Sequence, residues 1–262
     1  MVKGLDLFRD HLADYSDSYV LIGGAACNMH EDIADQEPRA TKDLDIVLVV
    51  EALSADFVRA FWAFVRDGGY TSRQRGEDKH EFFRFLKPAD KRYPKQLELF
   101  SRSIGLLNIP EDAHLEPIPV EDELSSLSAI LMNESYYGYT ISHSILQDGI
   151  HIANFEALIC LKAKAYIDLR TRKEAGDVNV DQDDIDKHKK DIFRLAPMIP
   201  SGAHYDLPAE MAADMDQYFR MVADDLPNED FLRAAGLGTM TIDGLLNVLK
   251  HAYLSYTEKS RH

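Results

Sequence analysis

Residues 19–50 read YVLIGGAACNMHEDIADQEPRATKDLDIVLVV. An apolar run, Tyr19–Ile22, stops at Gly23-Gly24, and about one helix follows over residues 24–34. The polar DQEPRAT stretch, punctuated by Pro38, predicts a loop. Asp43-Leu44-Asp45 then opens a second apolar, β-branched run, Leu44–Val50, which predicts a strand in the interior of a sheet. Side chains alternate along a strand, so Asp43 and Asp45 share a face. A glycine pair between a strand and a helix N-terminus is a place where phosphate can approach backbone N–H groups. A phosphate cradle beside a pair of carboxylates points to chemistry on a nucleoside triphosphate.

Working outward, unpaired carboxylates are costly where sheet burial should begin. A magnesium ion held by one or two carboxylates and by substrate phosphates would offset that cost. Surface charge is the plainer alternative for either acid alone. Two metals acting on a phosphoryl centre would call for a third carboxylate. Glu98, in Gln96-Leu97-Glu98-Leu99-Phe100, is the candidate, because on a strand it faces opposite to its leucine neighbours; an outward-facing residue of an amphipathic strand is the alternative. Lys162 falls on the apolar stripe Phe155, Ile159, Tyr166, Leu169 at helical spacing. A triphosphate would give it a partner, unless its stem carries the ammonium to the surface. Asp191 stands at the edge of the stripe Ile185, His188, Ile192, Leu195, where it pairs with Lys162, orients a substrate or is solvated. Asp177–Asp183 begins like a calcium loop but lacks glycine at the sixth position and glutamate at the twelfth, so it is a solvated acidic loop. The chain has no H-E-x-x-H, G-x-S-x-G or Walker A lysine motif.

Elsewhere the pattern predicts a short helix over residues 4–14, a helix from an Ser54 N-cap to about Arg66 closed by Gly68-Gly69, and strands at Glu81–Leu86 and Gln96–Phe100. A basic turn, Lys87–Lys95, joins those two strands. Residues 101–150 are broken by Pro110, Pro117 and Pro119, with one short strand at Gly149–Ala153. Helices follow at Phe155–Leu169, Asp184–Leu195, 208–224, 228–235 and 241–256, with a polar, mobile loop expected at Arg170–Asp183. The outline is a mixed α/β N-terminal half and an all-helical C-terminal half. The 262 residues allow one large domain or two small ones. The net charge of −16 disfavours extended duplex nucleic acid as a partner. No stretch approaches a membrane span, and the N-terminal residues lack the apolar core of a secretory signal, so a cytoplasmic protein without a membrane partner is expected. Cys27 and Cys160 fit buried thiols rather than a disulfide framework or a zinc site.

With these residues in view, the sequence resembles the nucleotidyltransferase superfamily of the DNA polymerase beta type. More narrowly it is similar to the AbiEii/AbiGii-type toxin branch of abortive-infection and type IV toxin–antitoxin systems. The matching pieces, in order, are Gly23-Gly24; Arg39-Ala40-Thr41-Lys42-Asp43-Leu44-Asp45; Leu161-Lys162-Ala163-Lys164-Ala165; and Lys190-Asp191. They span roughly residues 18–195. The resemblance implies an α+β fold, with a mixed-sheet nucleotidyltransferase core over residues 1–150 and a C-terminal helical bundle, 151–262, completing the nucleotide cleft. It implies an NTP donor, Mg²⁺ or Mn²⁺ on Asp43, Asp45 and Glu98 as catalytic acids, and Gly23, Gly24, Arg39, Thr41, Lys162 and Asp191 at the nucleotide. It further implies a hydroxyl acceptor such as the 3′ end of a tRNA, and a cognate antitoxin as partner. A small-molecule, antibiotic-type nucleotidyltransferase and a non-catalytic nucleotide- or partner-binding module are the competing readings. The sequence departs from the pattern in having Ala25 after the glycines, a longer gap before Asp43, and Arg194 where a second aspartate often follows Lys190-Asp191.

Overall fold

The computed structural model describes residues 2–34, 36, 41–73, 82–100 and 133–254. Arg39, Pro38, Glu81 and the proline-broken stretch 101–132 lie outside the described residues. The fold is α+β: a mixed sheet with its helices, followed by a helical C-terminal region. By internal contacts the chain divides into two compact units, Met1–Leu158 and Ile159–His262, and the boundary falls inside a helix.

The first unit opens with α1 (Leu5–His11) and a 3₁₀ turn (Ala13–Ser18), which lead into β1 (Tyr19–Ile22), α2 (Gly23–Ile33) and β2 (Asp43–Leu48). Then come α3 (Ala55–Gly68), β3 (Thr71–Arg73), β4 (Phe82–Leu86) and β5 (Gln96–Phe100). α4 (Glu134–Ser142), β6 (Ser144–Gln147) and β7 (Ile150–Ala153) complete it. The seven described strands form one sheet in the order β3-β4-β5-β2-β1-β7-β6. β1 runs antiparallel to β2 and parallel to β7, while β2 runs parallel to β5. All four residues of β1 are buried, as a continuous apolar run in mid-sheet requires.

α3 forms as its sequence predicts. The Ser54 hydroxyl accepts from the Phe57 N–H, and Gly69 closes the helix in the left-handed region at φ 62°. Its aromatic face lies against the sheet: Trp62 meets Phe85 edge-on at 5.6 Å, and Phe57 stacks on Tyr19 at 6.4 Å. β3, α4 and β6 have no counterpart in the sequence-based outline. α4 starts where the Asn133 side chain accepts from the N–H groups of Ser135 and Tyr136, and Tyr137 of this helix donates its hydroxyl to the Leu48 carbonyl while accepting from the Val50 N–H.

The second unit contains most of α5 (Phe155–Glu174), then α6 (Gln182–Leu195), a 3₁₀ turn (Ala196–Met198), α7 (Ala209–Val222), α8 (Glu229–Ala234) and α9 (Ile242–Tyr253). Two expectations change here. The predicted single apolar stripe of α5 is replaced by burial on all sides from Glu156 through Ala163. The expected loop over 170–183 shrinks to residues 175–181, because Arg170 pairs with Glu174 one turn on and Asp181 caps α6 through the Asp183 N–H. Arg172 also ties the connection, donating from Nε and Nη2 to Asp177 Oδ2 at 2.9 and 2.6 Å. Cys27 and Cys160 are both buried thiols. Among the described residues no helix is long and apolar enough to cross a membrane.

One buried titratable group fixes α2 on the sheet. His30 donates Nε2–H to the Ala153 carbonyl at 2.9 Å and meets Phe155 edge-on at 5.9 Å. Burial holds its imidazole below the usual histidine value, and the bond to Ala153 only partly pulls it back. A lowered folded value means that the unfolded chain takes up the proton first as pH falls below about 6.5. Stability contributed by neutral His30 is therefore complete above that pH and is lost as pH falls through the folded value. Urea midpoints measured from pH 8 to pH 5 should drop on the acid side for the wild type and drop less for His30→Gln. Equal slopes would refute this assignment.

Candidate active site

The ladder between β1 and β2 sets Ile22 directly opposite Asp45. The chain therefore turns into α2 at the level of that carboxylate. Gly23 makes the turn at φ 66°, a region that favours glycine. A Cβ built on Gly23 would lie 1.8 Å from Asp45 Oδ2, so the carboxylate occupies the space that a side chain would need. Gly23 and Gly24 are half-buried rather than covered, and no side chain caps the N-terminus of α2. The first turn of an eleven-residue helix thus presents backbone N–H groups beside a carboxylate.

β2 and β5 run parallel with Asp43 opposite Gln96 and Asp45 opposite Glu98. The structure thus brings Asp43, Asp45 and Glu98 onto adjacent strands with matching face. Their surroundings differ. Asp43 and Asp45 are half-buried, whereas Glu98 is 6 % exposed. Arg84, directly opposite Glu98 on β4, donates to Glu98 Oε1 from Nε at 2.6 Å and from Nη2 at 2.5 Å. Gln96 adds a third bond, from Nε2 to the same oxygen at 2.6 Å. Burial pushes the Glu98 carboxyl up; Arg84 and Gln96 pull it down, and the negative charge of Asp43 pushes it up again. Among the described residues no group of three or more His, Cys, Asp and Glu side chains is arranged to hold a metal ion.

Thr41 is half-buried just ahead of β2. Lys162 and Asp191 belong to the second unit and form one buried ion pair at 2.7 Å, with side chains 6 % and 2 % exposed. The lysine therefore does not snorkel, and of the partners open to Asp191 the structure shows Lys162. Arg84 is the residue that sequence reading missed. Its signal is the lone charge in Phe82-Phe83-Arg84-Phe85-Leu86, facing the lone charge of a second apolar strand.

Two substitutions check this geometry. Gly23→Ala forces a Cβ into the Asp45 carboxylate at positive φ, and should lower stability by about 2 kcal/mol by thermal or urea unfolding. Removing one partner of a buried ion pair leaves the other charge poorly compensated. Lys162→Met should therefore cost about 3 kcal/mol by urea unfolding, with most of it recovered in the Lys162→Met/Asp191→Leu double variant.

No protein-family model and no curated protein matches the chain. Among solved structures it is similar to an antigenic nucleotidyltransferase-like protein from Paracoccidioides brasiliensis, with 14% sequence identity, a TM-score of 0.44, and coverage of 96% of this chain and 94% of that one.

Proposed function

We propose that the chain is a metal-dependent nucleotidyltransferase, moving a nucleoside monophosphate from a nucleoside triphosphate to an acceptor hydroxyl. One observation carries the reading: the Asp45 carboxylate sits in the space of the missing Gly23 Cβ, so that a metal-type ligand and an uncapped helix N-terminus meet at one point. Phosphate and its counterion need those two elements together.

Backbone N–H groups at Gly23 and Gly24 would take oxygens of the β- and γ-phosphates. The donor set fits a hard cation: two half-buried carboxylates, Asp43 and Asp45, stand on one face of β2, and phosphate oxygens of the substrate would complete the coordination. Mg²⁺ or Mn²⁺ bound there would supply charge neutralisation for the phosphates. The acceptor oxygen attacks the α-phosphorus, the bond to the β-phosphate oxygen breaks, and pyrophosphate leaves. The hydroxyl proton passes to a carboxylate or to water. Arg39, Thr41, Lys162 and Asp191 are assigned to the nucleotide by the resemblance alone.

The toxin-branch resemblance favours the 3′ end of a tRNA as acceptor, and a cognate antitoxin as partner. The formal charge of −16 makes a cationic small molecule the competing acceptor. Incubation with each labelled NTP, Mg²⁺ and total tRNA, total protein or amine-bearing small molecules should place label on RNA. Asp45→Asn should cut that labelling by at least about a hundredfold. Transfer that survives Asp45→Asn defeats the proposal, and label on protein or on the amine moves the acceptor out of the RNA class.

A further inference from the structure

One oxygen of the third acid, Glu98 Oε1, is already engaged. A carboxylate oxygen has about two lone-pair sites, and Glu98 Oε1 accepts two bonds from Arg84 and one from Gln96, all at 2.6 Å or less. The pair sits on directly opposed residues of β4 and β5, with Glu98 6 % exposed, so the ladder itself holds the two side chains together. A guanidinium carries a permanent charge. It neutralises Glu98 at contact distance and leaves the carboxylate little attraction to offer a second cation. Asp43 and Asp45, on the neighbouring strand, are half-buried where Glu98 is covered.

We propose that Glu98 is not a metal ligand: Arg84 stands as its fixed counter-cation, and the centre takes a single divalent ion, on Asp43 and Asp45. This rests on the nucleotidyltransferase reading above and narrows it. Arg84 and Glu98 are then positioning residues. As a neutral pair they stand beside the metal on the neighbouring strand, and they keep the Glu98 charge from drawing the ion away from Asp43 and Asp45.

The test is binding of Mn²⁺ alone, without nucleotide, to the full chain, followed by loss of the free-ion signal in electron paramagnetic resonance. One ion per chain is expected. Asp45→Asn should weaken it about tenfold or more, and Glu98→Gln by less than about twofold, since it removes no ligand. Arg84→Met leaves a carboxylate without its counter-charge next to Asp43, and should tighten Mn²⁺ binding about tenfold or add a second ion. If Glu98→Gln does not fold, as judged by its thermal midpoint, the Arg84→Met/Glu98→Met double variant asks the same question with an apolar pair and should keep the single site. Loss of Mn²⁺ in Glu98→Gln or in the double variant, alongside loss in Asp45→Asn, overturns the inference and leaves the transferase reading standing. Mn²⁺ binding unchanged in Asp45→Asn defeats both.

Discussion

The arrangement of the first unit depends on a contact that no side chain can share: Asp45 Oδ2 lies where Gly23 would carry a Cβ. The β1–β2 ladder brings these positions to the same level, because Ile22 pairs with Asp45 and the next residue must leave the sheet. Only a residue without Cβ can turn there at positive φ. The start of α2 is thereby set at the sheet surface, and the His30 bond to Ala153 sets its far turn on β7. A helix pinned at both ends aims its N-terminal dipole at a fixed place, which suits anion recognition.

Much of this was written in short-range pattern. The alternation that puts Asp43 and Asp45 on one face is a property of any strand, and glycines between an apolar run and a helix announce a special turn. The strand placement of Glu98 followed from its leucine neighbours in the same way. Its partner did not. Arg84 reaches Glu98 through a ladder between strands that only the folded sheet brings together, and a lone charge in an apolar strand does not name its mate. α4 was hidden for another reason: ESYYGYTIS carries tyrosines on most sides and a glycine in the middle, so it shows no helical stripe, and its start depends on the Asn133 cap. Lys162 was legible as a lysine in need of a partner, and Asp191 stood among the partners open to it. The lysine's helix is buried on all sides over much of its length, so a stripe was the wrong template for reading which face needed a partner.

The second unit answers burial of charge with local pairing. Lys162 meets Asp191; Lys189 meets Asp186 and Asp225; Lys164 meets Asp214; and Asp225 also accepts from the Tyr166 hydroxyl. Such pairs add little net stability over apolar residues of the same volume, but they are costly to break singly. They bind α5, α6 and α7 to specific neighbours, where apolar contacts alone would tolerate sliding.

Tyr137 gives the site a property of a different kind. Its hydroxyl bridges the Leu48 carbonyl and the Val50 N–H, clamping the end of β2 remote from the acids, while β1 and β5 hold the strand along its length. A one-residue slip of β2 would turn both aspartates to the opposite face, and three separate attachments forbid it. The length of chain between α2 and β2 then has no say in where the acids stand, since loop closure over a few extra residues costs only fractions of a kcal/mol. The spacing between the glycines and Asp43 is thus no constraint on the site. A change of length there would leave the carboxylates at the same address.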